Sequence, residues 1–171
     1  MTVESPTRVI AHRGFSGRAP ENTLLAIREA IAIGAEMVEI DVTMTADGHV
    51  ILLHDETLDR TTSGTGPPTD HTLEEIRELD AGAWFSTVFA GEKIPTLSEA
   101  LQTVKGRILI NIEIKPEAVD HGVVPKIASL IAEHEMHNQV IVSSFSPEAL
   151  LRMKIADPEV ITATLFNKDL H

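Results

Sequence analysis

Residues 37–42 read Met-Val-Glu-Ile-Asp-Val, and this segment sets the fold class that the sequence predicts. Side chains alternate across a β-strand, so the apolar residues share one face while Glu39 and Asp41 share the other. The apolar neighbours favour a strand buried on both faces, as in a parallel sheet. Two carboxylates there repel each other and resist burial unless a cation neutralises them. The alternative is an exposed edge strand whose carboxylates face solvent.

Strand-like and helix-like segments alternate along the rest of the chain. Strands are predicted at residues 8–14, 37–45, 49–54, 107–115, 139–145 and 160–166. Helices are predicted to begin at or just after Asn22, Thr72, Thr96, Gly122 and Ser146. This order predicts an α/β fold with a parallel sheet. A TIM (β/α)8 barrel usually needs about 250 residues, so 171 residues predict an open sheet or a barrel truncated after its fifth or sixth strand.

Residues 1–171 are expected to form a single barrel domain that is incomplete at its C-terminus. The sequence ends at residues 168–171, directly after a predicted strand, and this favours truncation. Residues 56–95 differ in character and are interpreted as a small insertion packed over one end of the domain. Its aromatic residues either form a core of the insertion, which is the favoured interpretation, or line a ligand pocket. These residues are Trp84, Phe85 and Phe89.

Composition narrows the class of protein. The chain is 43% apolar, carries a net charge of −12 and has no cysteine. The missing thiols exclude a disulfide scaffold, a thiolate nucleophile and a zinc–thiolate site. The acidic balance disfavours a nucleic-acid binder, which would normally present a basic face. With neither a signal peptide nor an apolar run of membrane-spanning length, a soluble cytoplasmic protein without stable membrane insertion is expected.

The segment Thr-Ala-Asp-Gly at residues 45–48 predicts a hairpin turn after the acidic strand. If the hairpin is centred between residues 46 and 47, Glu39 falls opposite His54 and Asp41 falls opposite Leu52. That register would place the imidazole beside the carboxylate pair. A histidine at a strand end is often structural, but this acidic setting favours a functional interpretation.

A third carboxylate is predicted on the strand at residues 107–115. Asn111, Glu113 and Lys115 share one face of this strand. A Glu113–Lys115 ion pair is the structural alternative. If Glu113 instead lies beside the first two carboxylates, the three form an all-oxygen site suited to Mg²⁺ or Ca²⁺ rather than zinc or copper.

The first predicted strand ends at His12 and Arg13. Active sites of parallel barrels lie at the C-terminal ends of the strands, so His12 is placed to reach a ligand. The planar guanidinium of Arg13 suits the oxygens of a phosphate group. The nearby segment Pro-Glu-Asn-Thr at residues 20–23 either caps the following helix or contacts the ligand.

Five segments together resemble a known family. They are HRG (12–14), PENT (20–23), EIDVTMTADG (39–48), HDETLDRTT (54–62) and EIKP (113–116). In this order the set closely resembles the glycerophosphodiester phosphodiesterases. The resemblance implies a catalytic TIM barrel with a small insertion after the strand that bears the second histidine. It also implies metal-dependent hydrolysis of small-molecule glycerophosphodiesters to sn-glycerol 3-phosphate and an alcohol.

Carried over by position, the resemblance implies three sets of site residues. His12 and His54 would be the general acid/base pair. Glu39, Asp41 and Glu113 would bind the divalent cation, Mg²⁺ or Ca²⁺. Arg13 and Lys115 would contact the substrate phosphate.

Several alternatives stay open at this point. A metal-independent phosphatidylinositol-type phospholipase C is disfavoured by the three carboxylates. A sphingomyelinase D-like enzyme is disfavoured by the lack of cysteine and of a secretion signal, whereas lysophospholipid substrates are not excluded. A protein of a different class, an inactive fragment or non-catalytic barrel remnant, would follow from an incomplete barrel with exposed sheet edges. A homo-oligomer whose protomers lend each other strands is equally open.

Overall fold

The computed structural model describes residues 8–166, apart from the side chains of residues 117, 120 and 121. Its strands are β1 (Ile10–His12), β2 (Met37–Met44), β3 (Val50–Leu52), β4 (Leu109–Ile114), β5 (Val140–Ser144) and β6 (Ile161–Thr164). Its α-helices are α1 (Leu24–Ala32), α2 (Leu73–Glu78), α3 (Leu97–Val104), α4 (Val123–Glu133) and α5 (Pro147–Ala156). Short 3₁₀ helices occur at Pro68–Asp70, Thr87–Phe89 and Pro116–His121. The predicted end of the chain at residues 168–171 lies outside the described residues.

The six strands form one sheet. Its order is β1-β2-β4-β5-β6, with these strands parallel to one another, and β3 pairs antiparallel with β2. Helices follow the parallel strands in the sequence. The α/β prediction is therefore confirmed, and the arrangement is consistent with a truncated TIM barrel.

β2 is the central element of the core. All eight of its residues are buried, so the alternative of an exposed edge strand is wrong. One face of the parallel strands packs against the helices through fully buried aliphatic side chains. Examples are Ile27, Val38, Ile40, Leu101, Ile112 and Ile127, each 0% exposed. Burial of this apolar face is the dominant force that holds the sheet against α1, α3 and α4.

The insertion at residues 56–95 forms a second, smaller cluster. Its buried residues Leu58, Ile76, Ala81 and Ile94 pack against Ile51 and Leu53 of the hairpin. Trp84, Phe85 and Phe89 are not part of this buried cluster. They pack on one another at the surface, with ring centroids 5.6 Å apart for Trp84–Phe85 and 5.7 Å apart for Phe85–Phe89. The favoured interpretation of these aromatics as the buried core of the insertion is therefore wrong.

The helix starts follow the predicted capping chemistry with one exception. Thr72 with Glu75, and Thr96 with Glu99, form complete capping boxes at α2 and α3. For α1 the N-cap is Thr23, whose hydroxyl accepts from Ala26 N–H. Asn22 instead has a positive φ of 55°, and its side chain bonds to β2.

The predicted hairpin register is wrong by one residue. Val42 lies opposite Leu52 and Met44 lies opposite Val50, so Asp41 is not opposite Leu52 and Glu39 is not opposite His54. The physical reason is a loop of three residues rather than two, closed between Thr45 and His49, with Gly48 at φ 81°. A shift of one residue exchanges the faces of a strand. It puts Leu52 in the core beside Val42 and leaves His54 in the loop that follows β3.

Candidate active site

The parallel register aligns the predicted site residues on three neighbouring strands. His12 of β1 lies opposite Glu39 of β2, and Asp41 of β2 lies opposite Glu113 of β4. Side chains in register on adjacent strands point to the same face of the sheet. The alternation predicted from the sequence therefore brings four of the seven candidate residues together without help from the hairpin.

The carboxylates of Glu39, Asp41 and Glu113 form a compact cluster. One oxygen from each lies within 4.8 Å of the others. Asp41 is 1% exposed and Glu39 is 7% exposed. Burial, together with the negative charge of Asp41, raises the pKa of Glu39 to about 7, against the opposing effect of the N–H donated by Arg13.

This cluster fits a divalent cation. Glu39 Oε1 is buried and has no hydrogen-bond partner among residues 8–166. An acceptor buried without a donor is costly, and a cation would satisfy it. The donors are all carboxylate oxygens, which suits Mg²⁺ or Ca²⁺. The residues that could hold such an ion are therefore the three predicted from the sequence.

Lys115 lies within the same cluster. Its Nζ is 2.7 Å from Asp41 Oδ1 and 2.6 Å from Glu113 Oε1, so the Glu113–Lys115 ion pair raised as an alternative is present. Burial lowers the pKa of Lys115, but the hydrogen bonds to the two carboxylates outweigh it and leave the pKa raised. A cation that took these oxygens would compete with this ammonium group.

Arg13 links the first strand to the cluster by both its backbone and its side chain. It adopts a positive φ of 57°, and its N–H donates to Glu39 Oε2 at 2.9 Å. Its Nε lies 3.4 Å from Asp41 Oδ2 and its Nη1 donates to Glu21 Oε1 at 2.9 Å. Left-handed backbone in a non-glycine residue is strained, and such strain occurs often at functional sites.

The two histidines lie in different settings. His12 Nε2 is 3.8 Å from Glu39 Oε2, and its side chain is 67% exposed beside the carboxylates. His54 is in the loop after β3, where its Nδ1 lies 2.6 Å from Asp55 Oδ1. A carboxylate accepts hydrogen bonds only, so Nδ1 is the donor in this pair. The remaining nitrogen of His54, Nε2, is then the one available for proton transfer.

Four residues outside the seven predicted for the site also hold it together. The Asn22 amide donates to Asp41 Oδ2 at 2.9 Å and accepts from Asp41 N–H at 3.2 Å. Glu21, Asp55 and Arg60 form an ion-pair network beside His54. All four lie inside the segments PENT (20–23) and HDETLDRTT (54–62). Membership of these segments was the available signal, although neither segment indicated which side chains meet.

A family model described as the glycerophosphoryl diester phosphodiesterase family matches residues 12–170. The chain belongs to this family. A glycerophosphodiester phosphodiesterase of Caldanaerobacter subterraneus subsp. tengcongensis is 45% identical over 162 residues, which is 94% of this chain and 67% of that protein. Human glycerophosphodiester phosphodiesterase 1 is 43% identical over 158 residues, which is 90% of this chain and 47% of the human protein.

Solved structures of the family have the same fold. A glycerophosphodiester phosphodiesterase from Agrobacterium tumefaciens superposes with a TM-score of 0.85 at 39% identity, covering 92% of this chain and 66% of that one. An Oleispira antarctica phosphodiesterase in complex with the product sn-glycerol-3-phosphate gives 0.87 at 37% identity, covering 92% and 65%. This family member thus spans about two thirds of the length of its bacterial relatives. Within residues 8–166, no helix has the length and apolarity needed to cross a membrane.

Proposed function

We propose that this protein hydrolyses glycerophosphodiesters to sn-glycerol 3-phosphate and an alcohol, with Mg²⁺ or Ca²⁺ as cofactor. The observation that carries the proposal is the buried carboxylate cluster with His12 at its edge. Membership of the family and the product named for the Oleispira antarctica relative support the substrate class.

Glu39, Asp41 and Glu113 would hold the cation. When bound, a divalent cation neutralises charge on the phosphoryl oxygens and so lowers the barrier to attack on an anionic diester. Arg13 would donate N–H groups to the phosphate, with its guanidinium held by Glu21 through Nη1. Lys115 would supply a second positive charge close to the same oxygens.

His12 and His54 would carry the proton transfers. One imidazole takes a proton from the attacking hydroxyl or water, and the other gives a proton to the departing alcohol oxygen. A histidine suits either step because its ordinary pKa is near neutrality. His54 would act through Nε2, since Nδ1 donates to Asp55.

The test is hydrolysis of glycerophosphocholine, followed by assay of sn-glycerol 3-phosphate and choline. His12→Ala and His54→Ala are each expected to lower turnover by at least about 10²-fold, the usual scale of general acid–base catalysis. His49→Ala, on the exposed hairpin loop, is the control and is expected to retain turnover. Full activity after exhaustive EDTA treatment, or in either site variant, would contradict the proposal.

A second candidate is a protein whose own chain is inactive without a partner copy. It is favoured by apolar side chains on the outer strands: Ile10 of β1 is 53% exposed and Ile161 of β6 is 57% exposed. Light scattering run alongside the hydrolysis assay separates the candidates. Turnover by a monomer would contradict the second candidate, whereas turnover only in a dimer would support it.

A further inference from the structure

Arg60 makes paired contacts with two different carboxylates. Toward Asp55, its Nε and Nη2 lie 2.5 Å and 2.9 Å from the two oxygens. Toward Glu21, its Nη1 and Nη2 lie 3.0 Å and 2.7 Å from the two oxygens. Only a guanidinium offers N–H donors along two edges at once. The ammonium group of a lysine could not make both paired contacts.

Each of these carboxylates also holds a side chain of the proposed site. Asp55 Oδ1 lies 2.6 Å from His54 Nδ1, and Glu21 Oε1 accepts from Arg13 Nη1 at 2.9 Å. The network therefore runs from His54 through Arg60 to Arg13. It joins the loop before α1 to the loop after β3, across 39 residues of sequence.

We propose that Arg60 is a positioning residue, which orients Asp55 against His54 and Glu21 against Arg13. Through Asp55 it holds His54 in the form protonated at Nδ1, with Nε2 free to exchange a proton with a ligand. Through Glu21 it fixes the direction in which the Arg13 guanidinium points. The catalytic consequence rests on the proposed function, whereas the orientation of His54 does not.

The charges support this arrangement. Hydrogen bonds from Arg60, aided by His54, lower the pKa of Asp55 to about 2 against a smaller effect of burial. Burial raises the pKa of Glu21, but its bonds to Arg60 and Arg13 outweigh that effect and lower the pKa. Both groups are therefore carboxylates near neutral pH, and a carboxylate at Asp55 accepts a hydrogen bond from the Nδ1–H group of His54.

The exposure of Arg60 separates positioning from a purely structural role. Its side chain is 43% exposed, and exposed ion pairs contribute little to folding stability. Within the insertion, Arg60 also contacts Trp84, whose ring centroid is 5.9 Å from the guanidinium carbon. If Arg60 only linked the two loops, its substitution would lower the free energy of unfolding slightly and leave the tautomer of His54 unchanged. If Arg60 positions His54, its substitution changes that tautomer while the fold remains intact.

The experiment compares the parent protein with Arg60→Lys and Arg60→Ala. Arg77→Lys is the matched control, because Arg77 also pairs with a carboxylate, that of Glu99, away from the site. Protein labelled with ¹⁵N-histidine gives the tautomer of His54 from two-bond ¹H–¹⁵N correlations. Glycerophosphocholine turnover at saturating Mg²⁺ or Ca²⁺ gives kcat and KM, and circular dichroism reports the fold.

We expect both Arg60 variants to remain folded and to lose the uniform Nδ1–H form of His54, while Arg77→Lys keeps it. kcat is expected to fall by about 10-fold to 100-fold, the range typical of residues that orient metal-binding side chains. An unchanged Nδ1–H signal in folded Arg60→Lys and Arg60→Ala would overturn the proposal. If the parent protein does not hydrolyse the substrate, the proposed function fails and the NMR result alone decides the positioning role.

Discussion

The carboxylate cluster and the His54 network are built in opposite ways. Glu39, Asp41 and Glu113 stand on adjacent parallel strands, where the first two are buried and Glu113 is partly buried. His54, with its network of ion pairs, stands on loops that are partly open to solvent. Strands fix side-chain directions by their hydrogen-bond ladders, whereas loops depend on side-chain contacts to fix theirs. A carboxylate cluster fixed by strands and a histidine oriented by loop contacts can therefore form parts of one candidate site.

The two regions also differ in electrostatics. Burial and Asp41 raise the pKa of Glu39 to about 7, whereas Arg60 lowers the pKa of Asp55 to about 2. Nearby positive charge therefore does not fully offset the carboxylates of the cluster, whereas Arg60 offsets the carboxylate of Asp55 in the network. The effects of substitutions in the cluster should therefore depend strongly on the presence of a divalent cation, whereas the effects of substitutions in the network should not.

The largest effect is expected for Asp41→Asn, which keeps the shape of the side chain and removes one proposed ligand charge. Metal ions supply several kcal/mol of transition-state stabilisation, so turnover should fall by about 10³-fold. Calorimetric titration with Mg²⁺ or Ca²⁺ should show binding weakened in parallel. Glu29→Gln, on the exposed face of α1, serves as the control. Unchanged cation affinity in Asp41→Asn would show that the cluster is not the cation site.

The next effect is on stability and involves Lys115→Met. Removing this ammonium leaves the buried Asp41 and the partly buried Glu113 as neighbouring like charges, and breaking a buried pair in this way costs roughly 3 kcal/mol. Urea unfolding in EDTA should therefore show a clear loss, and added divalent cation should restore much of it. Lys105→Met is the control, because Lys105 pairs with Glu135 at an exposed position. An equal loss of unfolding free energy in both variants would mean that burial does not increase the contribution of the Lys115 pairs to stability.

Substitutions of Asn22 show whether a residue outside the proposed ligand set affects cation binding by the cluster. Asn22→Gly keeps the left-handed backbone but loses both bonds to Asp41, so cation affinity should fall by about 10-fold to 100-fold. Asn22→Ala loses the same bonds and adds roughly 1 kcal/mol of backbone strain at φ 55°. Cation titrations and urea unfolding of the pair separate the two effects. If Asn22→Gly retains full cation affinity, the side-chain amide of Asn22 has only a structural role.

The same contrast explains what could be predicted from the sequence. Alternation along residues 37–42 predicted which residues share a face, and the parallel register then made Asp41 meet Glu113. The hairpin register failed because Asp47-Gly48 suits both two-residue and three-residue loops. The consequence was limited, since His54 is positioned by Asp55 rather than by pairing with β2.

The Arg60 contacts could not be derived from periodicity at all. They join two loops far apart in sequence, where no repeat restricts which side chains meet. Likewise, the position of Asn22 before a helix predicts a cap, and Thr23 suits the same role equally well by residue type. Loop residues that bond to site residues can therefore be identified only from the three-dimensional structure.

The smallest expected effect is the pH dependence contributed by Asp55. Its pKa is lower in the folded protein than its ordinary value of 3.8, at about 2. The native state thus favours the charged form, and the resulting stability is present above about pH 4 and lost as the pH falls toward 2. Because the pair is partly exposed, the contribution should stay below about 1 kcal/mol. Urea midpoints of the parent protein and Asp55→Asn, measured from pH 5 to pH 2, should converge at the acidic end. A difference that stays constant across this range would mean that Asp55 acts through packing or neutral hydrogen bonds, and would weaken the electrostatic contrast between network and cluster.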